Sequence, residues 1–579
     1  MVTIANLLTE HMDIWTAAES EKKSGRGRAS GNAGNVYGVK KLRELILELA
    51  VRGKLVAQDP NDEPASELLK RIQAEKAKLI AEGKLKKEKP LAPIGEDEKP
   101  FELPKGWEWT TLLNAALVNP RNIAPDDIEA SFVPMTLIGS RFNDSHQDEK
   151  RLWKDIKQGF THFAEGDVGV AKITPCFENS KACVFENIKN GVGAGTTELH
   201  IVRPLMNTLN PRYVLAYLKS PKFLELGEAK MTGTAGQKRL PKDFVELNPF
   251  PLAPLAEQHR IVAKVDELMA LCDQLEQQHG NAQEAHETLV SQLLGTLTQS
   301  QNAAEFNANW QRIYAHFDVL FTTETSIDAL KQTLLQLAVM GKLTNQTNAD
   351  LSEELNNKLI KNRSLMKLGK GEQANLDLPI KDTECPIDFP NNWVKIRLGK
   401  IVEIVGGSQP PKTVFIERPQ IGYTRLIQIR DFKSDSYPTY IPSKYANRMF
   451  EKDDIMIGRY GPPVFQILRG LSGTYNVALM KADPINEIVS KDFLYYLLSE
   501  PRIQNLVIKE SERTAGQTGI RKDLLYMFVV GLPPKEEQHR IVAKVDALMA
   551  LCDQLKTRIQ QANQQQQAIA DALVAQAVA

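Results

Sequence analysis

The chain is poor in the features that mark a reaction centre. Its five cysteines, Cys176, Cys183, Cys272, Cys385 and Cys552, form no Cys-x-x-Cys pair and no metal-ligand spacing, which points to a reducing compartment and to no zinc site. No apolar run is long enough to span a bilayer. Glu10 and Asp13 interrupt the N-terminal stretch where a signal peptide needs an unbroken apolar segment, so the expected location is cytoplasmic. Net charge is missing too. The 72 Lys and Arg balance the 72 Asp and Glu, and total charge therefore makes no case for nucleic acid.

Familiar catalytic signatures are also lacking. GTAGQKRL (Gly233 to Leu240) has neither the GxxxxGK[ST] spacing nor a Ser or Thr at Arg239, and its second copy reads RTAGQTGI. GVGAGTTE (Gly191 to Glu198) is not GxGxxG. NPFP (Asn248 to Pro251) has the wrong order for the Asn-Pro-Pro-aromatic loop of amino-methyltransferases, and the second copy has VGLP. There is no HExxH, GxSxG or paired-carboxylate pattern. His259 and His539 read more simply as helix-surface groups than as bases, and the chain is expected to be non-catalytic.

What is present is ordinary globular material, 42% hydrophobic and 25% charged, spread over 579 residues, too many for one core. It is arranged as a tandem repeat. EQHRIVAKVDELMALCDQL (Glu257 to Leu275) returns as EQHRIVAKVDALMALCDQL (Glu537 to Leu555), differing only where Glu267 becomes Ala547. KLRELILELAVRGKL (Lys41 to Leu55) returns as ALKQTLLQLAVMGKL (Ala329 to Leu343), HMDIW as HFDVL, LPKGWEWTTL as FPNNWVKIRL, AYLKSP as YLLSEP, and TAGQ at Thr234 as TAGQ at Thr514. Between Trp107 and Glu257, and between Trp393 and Glu537, only fragments align, such as Thr197 to Pro204 with Asn476 to Asp483.

Ile261, Val265, Leu268, Cys272 and Leu275 step by four and three, the seam of a coiled coil, and Ile541, Val545, Leu548, Cys552 and Leu555 repeat it. A core requires those positions to be apolar. It does not require Gln258, His259, Arg260, Lys264, Asp273 and Gln274 to recur at Gln538, His539, Arg540, Lys544, Asp553 and Gln554. The two like helix faces are therefore expected to dock copies of one partner, while the two unlike bodies bind different things.

The chain is free of proline from Leu255 to Leu378 and again from Lys535 onward, which predicts two long antiparallel helices with a break near Thr298 to Phe306, and a last helix that pairs with the N-terminal helix. The expected fold is α/β: two α/β bodies separated by long antiparallel coiled-coil helices, a pseudo-two-fold tandem repeat in which N- and C-terminal helices pair. The expected division is an N-terminal helical region with linkers over 1–100, a first body over 101–256, a helical spacer over 257–345, a linker over 346–385, a second body over 386–535 and a last helix over 536–579.

In the first body TAGQ precedes a basic pair, so backbone N–H groups, hydroxyls and cations suited to phosphate, with amides suited to base edges, cluster at Thr234, Gly236, Gln237, Lys238 and Arg239. AKITPCFENSK, with Lys172, is a separate candidate loop of the same body. The second body offers Thr514, Gly516, Gln517 and Arg521, with Thr518 where Lys238 stands, together with Arg459 of GRYGPP and Gln428 and Arg430 of YTRLIQIRDF. An ordinary surface turn remains the competing reading of each loop.

Two diverged bodies, each closed by a proline-containing exit into EQHRIVAKVD and flanked by repeated helices, resemble the specificity subunits of type I restriction-modification systems, and KLRELILELAVRGKLVAQDP is similar to the subgroup called type IB. The resemblance covers nearly the whole chain. It implies two target recognition domains that each read one half of a split, asymmetric sequence in double-stranded DNA. It also implies that the helices hold two modification subunits that methylate adenine, with restriction subunits joining that core. S-adenosylmethionine, ATP and Mg2+ are then expected on the partner subunits and no cofactor on this chain. The implied partner surface is Glu257, Gln258, His259, Arg260 and Lys264 with Glu537, Gln538, His539, Arg540 and Lys544. The alternative is a pseudo-symmetric scaffold that joins two identical proteins and uses its bodies for protein ligands.

Overall fold

The computed structural model describes residues 11–17, 36–85, 91–234, 236–345, 353, 357–360, 375–381, 384–385, 387–460, 464–485, 488–513 and 520–578. It divides into two compact units, Met1–Gln283 with Gln561–Ala579, and Glu284–Gln560. Among the described residues no helix is long and apolar enough to cross a membrane.

In unit 1, helix α1 (Tyr37–Val51) forms because Val39, Leu42, Leu45, Ile46 and Leu49 recur every three or four residues, and all five are buried. Each such side chain contributes about 1.5 to 3 kcal/mol of burial. The helix ends in a Schellman turn: the Gly53 N–H donates to the Ala50 carbonyl at 3.3 Å and the Lys54 N–H to the Leu49 carbonyl at 2.9 Å. Gly53 has φ +65°, and a Cβ there would lie 2.9 Å from the Trp107 ring. Only glycine meets both demands.

The chain enters and leaves body 1 through one antiparallel ribbon, β1 (Glu108–Thr111) against β10 (Pro249–Leu252). Between them β2 (Ala116–Val118), β3 (Glu129–Val133), β4 (Glu149–Leu152), β5 (Thr161–Ala164), β6 (Val168–Ala171), β7 (Ala182–Val184), β8 (Val192–Gly195) and β9 (Leu199–Pro204) form two four-stranded sheets, ordered β2-β9-β6-β7 and β4-β3-β8-β5. Pairing is antiparallel except for β3 with β8. Phe163 and Phe185 stack with ring centroids 3.7 Å apart in the core. Helix α2 (Pro211–Leu218), capped by Asn210, buries Tyr213, whose hydroxyl donates to the Pro251 carbonyl at 2.7 Å. Helix α3 (Leu255–Gln299) follows. Its first part runs antiparallel to α1, with Arg43 at 2.9 Å from Asp273 and 3.0 Å from Glu276, and the seam residues Ile261, Val265, Leu268, Cys272 and Leu275 are buried.

In unit 2 the expected second helix is three. They are α4 (Ala303–Ala315), a single turn over Phe317–Leu320, and α5 (Glu324–Val339). The breaks are made by caps rather than by proline: Asn302 accepts from the Glu305 N–H, while Thr323 and Ser326 cap each other. Because α4 doubles back, α5 runs parallel to the end of α3, with His286 3.2 Å from the Val319 carbonyl at one end and the Lys342 amine donating to the Thr298 and Ser300 carbonyls at 2.9 and 2.8 Å at the other. The expected antiparallel pairing of those two helices is thus corrected.

Body 2 is built from β11 (Val394–Arg397), β12 (Val402–Gly406), β13 (Tyr423–Ile427), β14 (Tyr440–Pro442), β15 (Met449–Phe450), β16 (Ile455–Gly458), β17 (Ile467–Leu468), β18 (Gly473–Tyr475), β19 (Leu479–Pro484), helix α6 (Lys491–Ser499) and β20 (Val529–Leu532). Its sheets are β11-β20, β12-β19-β16-β17 and β14-β13-β18-β15, strand for strand the order of body 1. From β8 onward residue n corresponds to residue n + 280: Leu199–Pro204 with Leu479–Pro484, Pro211 with Lys491, Pro249–Leu252 with Val529–Leu532. The sequence alignment of Thr197 to Pro204 with Asn476 to Asp483 is therefore one residue out of register. A slip of one would turn every side chain of the strand to the wrong face.

Helix α7 (Lys535–Val578) closes the chain. In unit 2 it is the antiparallel mate of α5, through Lys331 with Asp553 at 2.7 Å, Lys556 with Asp328 at 2.9 Å and Gln560 with Glu324 at 3.0 Å. Its last part belongs to unit 1, where it lies along α1. The Tyr37 hydroxyl donates to Asp571 at 2.8 Å and Arg52 donates to the Val578 carbonyl at 3.1 Å. The expected pairing of N- and C-terminal helices is present, in a parallel sense.

Candidate nucleic-acid interface and partner faces

In body 1 the loop after β6 and the TAGQ segment form one surface. The Thr174 N–H donates to the Lys238 carbonyl at 3.0 Å, the Lys238 N–H to Thr174 Oγ1 at 3.1 Å, and the Leu240 N–H to the Lys172 carbonyl at 2.7 Å. Thr232 and Arg239 exchange two backbone hydrogen bonds and close a hairpin, whose tip carries Gly236 at φ +80°. Lys172, Thr234, Gly236, Gln237, Lys238 and Arg239 are thereby brought together, and all but half-buried Lys172 are exposed.

Their charges are not equivalent. Arg239 is held by Glu198, with nitrogen to oxygen distances of 2.9 and 3.0 Å, and that hydrogen bond keeps the Glu198 carboxyl below its ordinary range. Among the described residues neither Lys172 nor Lys238 makes a side-chain hydrogen bond or ion pair, although the Lys172 charge also helps to lower the Glu198 carboxyl. Beneath the hairpin, His200 Nε2 donates to the Leu240 carbonyl at 3.0 Å, and burial holds its imidazole below the usual histidine range.

One supporting residue gives no sequence signal. Lys219, at the end of α2, buries its amine and donates to the Ser140 carbonyl at 2.9 Å and the Ser180 carbonyl at 2.5 Å, tying the loop after β3 to the loop after β6. Burial lowers it to about 8. A lysine closing a short helix reads as a surface residue in sequence.

In body 2 strand ends gather around the turn between β18 and β19. The Gly407 N–H donates to the Leu479 carbonyl at 3.1 Å, the Asn476 N–H to Ile427 at 3.3 Å and the Arg459 N–H to Ala478 at 2.8 Å. Ile429, between Gln428 and Arg430, lies beside Gly458, the residue before Arg459. The guanidinium of Arg459 lies 5.1 Å from the Tyr460 ring centroid, and its buried Nε has no partner among the described residues. Arg430 reaches the Tyr437 carbonyl and Thr439 only at 3.4 Å. Arg521, apart from this group, is exposed and paired with Asp523 at 2.5 Å. Thr514, Gly516, Gln517 and Thr518 lie outside the described residues.

The repeated polar residues of α3 and α7 divide into two sets. Glu257 is buried and accepts from the Trp107 indole at 2.9 Å and from Gln58 at 3.1 Å. Gln258 accepts from the Asn210 N–H at 2.9 Å and donates to the Ala253 carbonyl at 2.9 Å, and Gln538 likewise accepts from Ser490 at 2.8 Å and donates to Ile488 at 2.9 Å and Pro533 at 3.0 Å. Glu537 is buried against Thr344 and Arg540. These four residues are removed from the expected partner surface. Glu257, Gln258 and Gln538 each lash a body to the helix that leaves it, whereas Glu537 ties its helix to Thr344 after α5. Arg260 is taken by Asp62 at 2.6 Å. His259, Ala263, Ala270 and Gln274 remain exposed, as do His539, Ala543, Ala550 and Gln554. Lys264 is half-exposed beside Glu267 at 2.8 Å, and Lys544 is exposed.

Comparison with known proteins gives this arrangement a family. A family described as the type I restriction modification DNA specificity domain matches residues 390–564. The chain is 46% identical to the specificity subunit of the type I restriction enzyme EcoAI of Escherichia coli, with all of both chains covered. It is 45% identical to that of EcoEI from the same organism, over 99% of each. The chain belongs to the type I restriction enzyme specificity subunits. The family match spans body 2 and the start of α7, and body 1 repeats its strand order, so both bodies of this specificity subunit are DNA-recognition domains. The specificity subunit is the non-catalytic component of its enzyme.

Proposed function

We propose that this specificity subunit reads a split, asymmetric sequence in double-stranded DNA, one half with each recognition domain. It docks two modification subunits, adenine methyltransferases, on the exposed faces that α3 and α7 share, and restriction subunits join that core. S-adenosylmethionine, ATP and Mg2+ belong to those partners in this reading, and the subgroup is type IB. The observation that carries it is the contrast within one topology. Both bodies have the same strand order, yet their surfaces differ, with Arg239 and Glu198 in one domain and Ala478 at the place of Glu198 in the other. His259, Ala263, Ala270 and Gln274, by contrast, recur unchanged. Identical partners require like faces, and a two-part sequence requires unlike readers.

The test is a map of methylated adenines in a host that expresses the partner subunits, with and without this gene. Loss of methylation at one split motif is the expected result and reveals both half-sites. An unchanged map would favour the alternative of a protein scaffold. For the docking faces, His259→Glu with Ala263→Arg, and the same pair of changes at His539 and Ala543, should each reduce the bound modification subunits from two to one in native mass spectra. Retention of two in both variants would remove those faces from the interface.

A further inference from the structure

The two recognition domains align poorly in sequence, but their shared strand order lets positions be matched by their place in the sheet. Strand β6 ends at Ala171 opposite Leu199, and the next residue, Lys172, donates its backbone N–H to the Glu198 carbonyl at 3.0 Å. Strand β16 ends at Gly458 opposite Leu479, and the next residue, Arg459, donates its N–H to the Ala478 carbonyl at 2.8 Å. The two backbones are the same at this point and both carry a cation. Sequence alignment does not pair them, because the offset here is 287 (Val168–Ala171 with Ile455–Gly458) rather than the 280 of the later strands.

Neither cation has an ion pair among the described residues, although both are half-buried. Among the described residues the Arg459 Nε has no acceptor, so no protein carboxylate neutralises this guanidinium.

The surroundings of the two cations are not shared. Glu198 is replaced by Ala478 and His200 by Met480, and Arg239, which Glu198 holds, corresponds to Gly519. Surfaces that read different bases must differ, whereas the phosphate backbone is the same on every sequence. We infer that Lys172 and Arg459 are equivalent phosphate clamps, each fixing its recognition domain on the DNA backbone of its half-site while the unlike neighbours read bases. This rests on the DNA-reading function proposed above.

The experiment uses the complex of this chain with its modification subunits and a duplex that carries its methylation motif. Kd is measured from about 50 to 200 mM salt, where each lost phosphate contact changes the slope of log Kd against log salt by about 1, or about fourfold in Kd across the range. Lys172→Gln and Arg459→Gln should each lower the slope by about 1 and together by about 2, with the ranking of single-base variants of the motif unchanged. Lys172→Arg and Arg459→Lys should restore the slope, which a folding defect would not allow. A wild-type slope in the Gln variants overturns the inference. So does relaxed discrimination at one base pair, which would make the cation a base reader. If the wild-type complex does not prefer the motif at all, the DNA-reading function itself fails. A clear preference with unchanged slopes removes the clamps alone.

Discussion

The Trp107 indole donates to the Glu257 carboxylate at 2.9 Å, joining the base of body 1 to the first turn of the helix that leaves it. At the matching place in unit 2 the Trp393 indole is buried without a partner among the described residues, and Glu537 is held by Thr344 and Arg540 instead. The two tryptophans look interchangeable in sequence and are not so in energy. Both Trp→Phe changes lose the fused ring that packs beside Gly53 or Gly341, but only Trp107→Phe also leaves a buried carboxylate short of one donor, so it should cost about 1 to 3 kcal/mol more than Trp393→Phe. Urea unfolding of the two variants measures the difference.

Gly341 repeats the turn of Gly53, at φ +71°, with an added Cβ 2.6 Å from the Pro390 ring. Gly83 ends its own helix at φ +72° with nothing within 4 Å. Gly83→Ala should therefore cost only the backbone term, about 1 to 2 kcal/mol, and Gly53→Ala and Gly341→Ala should each cost more. Equal losses of thermal stability in the three variants would mean that the proline and tryptophan rings move aside freely.

Two histidines should make recognition domain 1 sensitive to acid. Burial is the largest cause holding both His162 and His200 below the usual histidine range. His162 Nδ1 also accepts the Asn122 N–H at 3.1 Å, a bond that a second ring proton would end. The unfolded chain binds its protons near pH 6.5 and the folded domain only at lower pH. Stability is thus whole above about pH 6.5 and drains as pH falls, by up to about 1.4 kcal/mol per pH unit for each histidine. Body 2 has Met449 and Met480 at these places. The double variant His162→Met with His200→Met should flatten the dependence in urea melts between about pH 7 and 5.

Arg203 grips Asp167 with two hydrogen bonds of 2.8 and 2.7 Å. The Asp167 carboxyl is still pushed above its ordinary range, because burial outweighs the opposing pull of Arg203. Arg203→Leu strands that carboxylate and should cost about 3 to 5 kcal/mol at neutral pH. The cost should shrink toward pH 5, as Asp167 takes up a proton, and adding Asp167→Asn should recover most of it. A double-mutant cycle at two pH values tests both statements.

The helical seams and the tandem repeat were legible because a heptad pattern is local, and Ile261 to Leu275 are buried as their spacing requires. Three things were not legible. Gln258 and Gln538 recur for the sake of buried hydrogen bonds to Asn210 and Ser490, and repetition alone cannot distinguish an internal lashing from an outer face. The break at Asn302 falls in the expected stretch Thr298 to Phe306, but the second break, at Thr323, is made by a side-chain cap, which a search for proline passes over. The approach of Lys172 to Lys238 depends on strand pairing across the domain, as does the match of Lys172 with Arg459. Long-range contacts of that kind leave no periodic trace.

The stretch 561–578 packs in unit 1, with Ala570 in the same core as Leu42 and Leu49 of α1. Unit 2 is continuous in the chain, whereas unit 1 joins two segments that lie on either side of it in sequence. Translation therefore passes through the whole of unit 2 before it reaches residues 561–578, and the apolar side of α1 meets Ala570 only after unit 2 has been made.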